Sequence, residues 1–196
     1  MKQIQVLVTG IVHVSTTGTN VTEAMGLMGE ARRNRLKVIE GALSVENQLE
    51  SVILHYFFGT SHEKREVFKS FILDSDWCTF AAKRKLITHI INDQNLLEGR
   101  DKNDFNGLMK DVMSFRNAFT HGELSSDATR VWLSFFEGVV RKEELTDDYL
   151  TRVEAALRAA YDKVFGLSIK IGATKLSENA DETKPTANER DLPSET

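Results

Sequence analysis

Apolar residues recur every third or fourth position through most of this chain, and the elements follow from where that rhythm starts, stops and changes. Val38, Ala42, Val45, Leu49, Val52 and Tyr56 step by four and three, which predicts one long central helix. It opens at Asn20-Val21-Thr22-Glu23, a capping-box pattern, and runs to about Phe58, with Gly26 and Gly29 weakening its first turns. Gly59-Thr60-Ser61 ends it, and His62-Glu63 reads as the turn into a shorter helix. That helix covers Glu63 to Leu73 and is expected to face Val67, Phe68, Phe71 and Ile72 inward, until Asp74–Asp76 breaks the pattern. A third helix starts near Thr79 and buries Phe80, Leu86, Ile87, Ile90 and Ile91. After a polar connection over Glu98–Asn103, Phe105, Leu108, Val112, Phe115 and Phe119 predict a further helix. Gly122 follows it, where a left-handed C-terminal cap needs a residue without Cβ.

Beyond Gly122 the period changes. Arg130–Phe136 and Val139–Leu145 flank Glu137-Gly138 and predict a β-hairpin. Thr146-Asp147-Asp148 then starts a last helix, its acidic residues suited to the positive end of the helix dipole. The stripe of that helix is Leu150, Val153, Leu157, Tyr161 and Val164. Residues 3–15 alternate loosely, are rich in Val and Ile, and predict a strand that pairs with the hairpin. From Gly172 onward apolar residues almost vanish, so this segment is expected to be a disordered tail. The fold class is therefore mainly α: an up-and-down helical bundle over residues 20–171, with a hairpin insertion near 130–145. An N-terminal strand segment over 1–19 and a tail over 172–196 complete the organisation.

Composition narrows the function classes. Hydrophobic residues make up 41% of the 196, enough for a real core, and both prolines, Pro185 and Pro193, lie near the C-terminus. One cysteine, Cys78, excludes an intramolecular disulfide and fits a reducing compartment; it reads as a buried thiol. No segment reads as a membrane span or export signal, so the expected location is the cytoplasm. The net charge of −4 argues against indiscriminate polyanion binding but leaves room for local basic sites. Two clusters qualify: Arg32, Arg33, Arg35 and Lys37, and Lys83, Arg84 and Lys85, the second being the candidate RNA contact. No phosphate-binding glycine loop, metal-ligand spacing or cofactor motif is present, and His13 and His55 read as packed or surface histidines.

The most informative stretch is Arg116-Asn117-Ala118-Phe119-Thr120-His121-Gly122. Asn117 and His121 are four apart and share one helix face. Arg116 lies about 100° around from Asn117 but carries a flexible guanidinium expected to reach the same region, so that the three converge. An Arg, an amide and an imidazole at a helix end suit a phosphate-handling site. The spacing Arg-x4-His occurs a second time, at Arg84 and His89, but there Lys85 replaces the amide and the helix runs on through Ile90 and Ile91. Glu46 and Asn47 interrupt the apolar texture of the central helix; either faces Arg116, or both point to solvent. Trp132 and Phe136 suit base stacking or, as hairpin aromatics beside a bundle, core packing.

The motif resembles the Arg-x4-His signature of the HEPN superfamily (higher eukaryotes and prokaryotes nucleotide-binding domains), in which Asn often follows the Arg, as Asn117 does here. The resemblance covers the helical body, roughly 20–166, and its specific part is the short motif. It implies metal-independent endoribonuclease chemistry, in which a ribose 2′-hydroxyl attacks the adjacent phosphorus to leave a 2′,3′-cyclic phosphate and a 5′-hydroxyl. His121 would act as general base or acid, Arg116 would neutralise phosphoryl charge, and Asn117 would orient the imidazole or the substrate. Glu46, Asn47 and Thr120 would support them. It also implies a homodimer that brings two motifs together, in a toxin–antitoxin or phage-defence setting with an antitoxin or regulatory protein as partner. The alternative is a non-catalytic HEPN-like module that binds nucleotide, nucleic acid or a protein partner.

Overall fold

A computed structural model describes residues 13–14, 21–59, 63–127 and 129–182. The chain is mainly helical, with a small sheet beside the helices. Helix α1 spans Val21–Phe58 as one continuous rod. Its Val38, Ala42, Val45, Leu49 and Val52 are all buried, as the four-three stepping requires. Gly59, at φ 64, then stops it, and its N–H bonds to the His55 carbonyl at 3.0 Å. The left-handed conformation at this position is one that glycine adopts without strain. The proposed cap at Asn20 and the turn at Thr60–His62 lie outside the described residues.

Helix α2, Arg65–Phe68, passes directly into a π-helical turn over Lys69–Leu73. The wider turn changes the angular step between the residues it contains, Phe71 and Ile72 among them. Leu73 is buried, but Val67 and Phe71 are exposed, against the inward placement expected of both. Helix α3, Phe80–Asp93, starts at Thr79, whose hydroxyl accepts from the Ala82 N–H, and it buries Phe80, Ile87, Ile90 and Ile91. Helix α4 spans Gly99–His121, so it already includes most of the stretch expected to be a polar connection. Phe105, Met109, Val112 and Phe119 form its fully buried stripe.

Three antiparallel strands follow. Strand β2 (Glu123–Ser126) pairs with β3 (Val131–Glu137), which pairs with β4 (Val139–Glu144) about Gly138. Gly138 has φ 74, so the expected hairpin is present. Strand β2 was not expected, and it is β2 rather than the hairpin that takes the N-terminal segment. His13 and Val14 form a two-residue β1 paired in parallel with Ser125 and Ser126; residues 3–12 and 15 of the proposed strand lie outside the described residues. On the hairpin, Trp132 is half-buried and Phe136 is exposed, so Phe136 is not core.

Helix α5 runs from Asp147 to Glu182, well past Gly172, where a disordered tail was expected to begin; residues 183–196 lie outside the described residues. It packs mainly along α1 and also meets α4. Val153, Leu157, Ala160, Val164, Leu167 and Ile171 carry that packing, whereas Tyr161 turns partly to solvent. Gly41 lets α5 approach α1 closely: a Cβ there would lie 3.0 Å from Leu157 Cδ1.

Candidate functional site

The register of α4 decides where its motif points. Val112 and Phe119 are fully buried, and Arg116 lies between them on the flank of the same stripe. At 100° per residue, Arg116 is about 40° from Val112, while Asn117 and His121 are about 140° and 180° from it. The guanidinium therefore leans toward α1, its side chain one-third exposed, and Asn117 and His121 face solvent. Arg116 and His121 are about 140° apart around one helix. One chain does not aim them into a common hollow.

Arg116 leans on a buried charge cluster. Its Nη2 lies 3.7 Å from Oε2 of Glu46, a residue that is 8% exposed. The other carboxylate oxygen, Oε1, accepts a hydrogen bond from Lys83 Nζ at 2.9 Å, and Lys83 donates a second to Glu50 Oε1 at 2.5 Å. Glu46 and Glu50 are one turn apart on α1, and Lys83 reaches between them from α3. Two cations and two carboxylates make the cluster formally neutral. Burial alone would lower the Lys83 pKa, but the hydrogen bonds it donates to Glu46 and Glu50 outweigh that and raise the pKa. Glu46 Oε2 has no hydrogen-bond partner, so its nearest compensation is the Arg116 charge. That ion pair turns one terminal nitrogen of the guanidinium toward Glu46 and leaves the side chain one-third exposed.

The C-terminal end of α4 is tied down separately. Arg35, on α1, donates from Nη2 to the Thr120 carbonyl at 2.6 Å, satisfying one of the carbonyls that a helix end leaves without an intrahelical partner. Burial lowers the Arg35 pKa. Gly122 is not the left-handed cap expected of it: its φ of −72° and ψ of 155° are extended. Glycine is needed there for space. A Cβ would collide with the Ala118 carbonyl oxygen and would lie 2.7 Å from Leu133 Cδ1 and 3.0 Å from the Ser134 oxygen. The chain thus leaves α4 pressed against β3, with His121 exposed at the corner.

The remaining candidates separate. Asn47 is exposed, while its neighbour Glu46 faces Arg116. Thr120 is exposed and contributes its backbone carbonyl. Lys83 does not belong to a surface RNA contact: it is 4% exposed and fully engaged by two carboxylates. Arg84 and Lys85 do line the surface, in a groove of about 510 Å³ between α3 and α4 with Thr88, Asn103, Asn106 and Lys110. Sequence reasoning missed Glu50 and Lys110, and it placed Arg35 in a basic cluster without its bond to the Thr120 carbonyl. His55 Nδ1 lies 3.0 Å from Ser168 Oγ, and Cys78 is buried, which raises its pKa. Trp132 carries Lys142 Nζ at 4.5 Å and Arg130 at 5.1 Å over its ring, so both cations cover it.

No family model, curated protein or solved structure matches this chain. Among the described residues no group of three or more His, Cys, Asp or Glu is arranged to hold a metal ion. Among the described residues no helix is long and apolar enough to cross a membrane.

Proposed function

We infer that the chain is a HEPN-like up-and-down bundle acting as a metal-independent endoribonuclease, with Arg116 of one protomer and His121 of its partner forming each site. The observation that carries this reading is the Glu46 anchor: a buried carboxylate, itself fixed by Lys83, holds Arg116 while leaving its guanidinium partly open. A cation so held is preorganised to meet charge on phosphoryl oxygens without reorganising during the reaction. His121 supplies the proton transfer, taking the 2′-hydroxyl proton or donating one to the leaving 5′-oxygen. Asn117, on the imidazole's face of α4, orients it or the ribose.

The roughly 140° between Arg116 and His121 gives the dimer its role. A two-fold axis beside the end of α4 lays the exposed His121 of each protomer against the open guanidinium of the other. The same splay favours a second reading, a non-catalytic module that binds RNA or a regulatory protein through the Asn117–His121 face. Incubation with RNA in EDTA separates the two. The wild-type protein is expected to cleave and to leave 2′,3′-cyclic phosphate ends, and His121→Ala is expected not to. Equal cleavage by both proteins rejects the catalytic assignment, and no cleavage by either favours the binding module. A toxin–antitoxin or phage-defence setting would appear as growth arrest on expression, relieved by Arg116→Ala.

A further inference from the structure

We propose that the groove between α3 and α4, lined by Arg84, Lys85 and Lys110, binds the phosphodiester backbone of single-stranded RNA and guides it along α4 to His121. The choice of RNA rests on the ribonuclease reading; the groove's affinity for a polyanion does not.

The groove has a volume of about 510 Å³ and is lined by Arg84, Lys85, Thr88, Asn103, Asn106, Gly107 and Lys110, three cations among neutral polar groups with no acidic residue. Among the described residues none of the three cations has an ion-pair partner, although this protein carries a net charge of −4. Thr88 Oγ1 bonds to the Arg84 carbonyl at 2.9 Å and lies 3.4 Å from Asn106 Oδ1, which ties the two walls together. Three unpaired cations converging on one concave surface repel one another. An anion with repeated charges relieves that repulsion and releases counterions as it binds.

The groove also has a direction. Measured around α4 from Val112, Asn106, Lys110, Asn117 and His121 fall at about 120°, 160°, 140° and 180°, so all four share one outward face. Asn103, at about 180°, joins them. No acidic residue of α4 lies on that face. Lys110 and His121 are about 16 Å apart along the axis at 1.5 Å per residue, a span of a few nucleotides. Carboxylates border the path near its end: Glu137 accepts from Ser114 Oγ at 2.8 Å and pairs with Arg141 at 3.3 Å, and exposed Glu123 follows His121 by two residues. A strand held by its phosphates in the groove would thus reach the imidazole with its ribose hydroxyls free. A duplex would not fit this one-helix track as closely, and single strands are the form whose riboses rotate freely into line.

Fluorescence anisotropy with a labelled oligouridine of about a dozen nucleotides tests this. Binding is compared between His121→Ala and His121→Ala carrying Lys85→Ala and Lys110→Ala, so cleavage does not interfere. Both lysines are exposed, so the added substitutions leave the fold intact, which circular dichroism verifies. The expected loss is tenfold or more in affinity at low salt. The slope of log K against log salt should also shrink by about 1.4, that is, about 0.7 for each of two lost phosphate contacts. An unchanged slope overturns the proposal, as does a parent protein that does not bind. A polyglutamate peptide of equal charge that competes as well as RNA also overturns it, in favour of an acidic protein partner. The cleavage assay on wild-type protein reports separately on the catalytic reading: groove binding without cleavage retains this site and removes the other.

Discussion

Replacing Lys83 with Met keeps most of the buried stem and removes only the charge, which isolates the electrostatics of the cluster. Lys83, Glu46 and Glu50 are 4%, 8% and 5% exposed. In the wild type the ammonium compensates both carboxylates at 2.9 and 2.5 Å. After the substitution Glu46 keeps Arg116 at 3.7 Å, and Glu50 keeps no cation. Breaking a buried ion pair from one side costs about 3–5 kcal/mol, because the abandoned charge remains desolvated. At about 2–4 °C per kcal/mol for a chain of this size, the melting temperature should fall by about 6–20 °C near pH 8. The loss should depend on pH. Without Lys83, Glu46 and Glu50 lose the ammonium they share and stand as two buried carboxylates one turn apart on α1. The destabilisation comes from their charge, so it should be larger at pH 8 than at pH 5. In the wild type the sign is different. The raised Lys83 pKa contributes stability that is fully present below the unfolded value of about 10.4, and this is lost only as pH climbs through the folded value. Urea melts of both proteins at pH 5 and pH 8 read these quantities directly. A Lys83→Met protein within about 1 kcal/mol of wild type at pH 8 would refute the buried-cluster reasoning. So would a loss of the same size at both pH values.

Two further substitutions test how the end of α4 is held. Gly122→Ala introduces a Cβ that meets two backbone oxygens and Leu133, so it should cost about 1–3 kcal/mol by urea melt; a neutral result would mean that the helix-to-strand corner is looser than described. Arg35→Ala removes the charge-assisted hydrogen bond on the Thr120 carbonyl, worth about 1.5–3 kcal/mol. It should speed amide hydrogen exchange at the end of α4 and lower cleavage without changing exchange in α3. Unchanged protection at residues 118–122 would remove Arg35 from the site.

Much of this architecture is written in the spacing of apolar residues. The stripe of α1 and the burial of Phe80, Ile87, Ile90 and Ile91 were readable because an undistorted α-helix repeats its faces. Phe71 was misplaced because it lies in the π turn, which changes the step between residues and which no composition signal marks; Val67, exposed one turn earlier in α2, has no such explanation. Strand β2 escaped because Glu123-Leu124-Ser125-Ser126 holds one apolar residue, too few to show a period of two. Helix α5 outlasts its apolar stripe because no proline interrupts the sequence before Pro185, and helix needs no buried face to propagate a few turns from an anchored one.

At the site, two misreadings had a signal that was available. Lys83 was grouped with Arg84 and Lys85 as neighbours in sequence, yet neighbours on a helix point about 100° apart. Its steps of three from Phe80 and four to Ile87 place it on the buried face, where a lysine requires carboxylate partners. Arg116, four from Val112 and three from Phe119, follows the same rule. Gly122 was legible as an obligatory glycine, but its reason, the approach of Leu133 and Ser134 on β3, is a tertiary fact. Lys110 joins Arg84 and Lys85 only once α3 and α4 are packed.

The claim that most of this account depends on is that each site draws Arg116 and His121 from different protomers. Mixing Arg116→Ala with His121→Ala, after unfolding and refolding together so that subunits exchange, tests it directly with RNA cleavage in EDTA as the readout. Each variant alone is expected to be inactive. In a mixed dimer one site regains both groups and the other loses both, so the equimolar mixture should recover about a quarter of wild-type activity. A mixture as inactive as its two components would contradict the shared site.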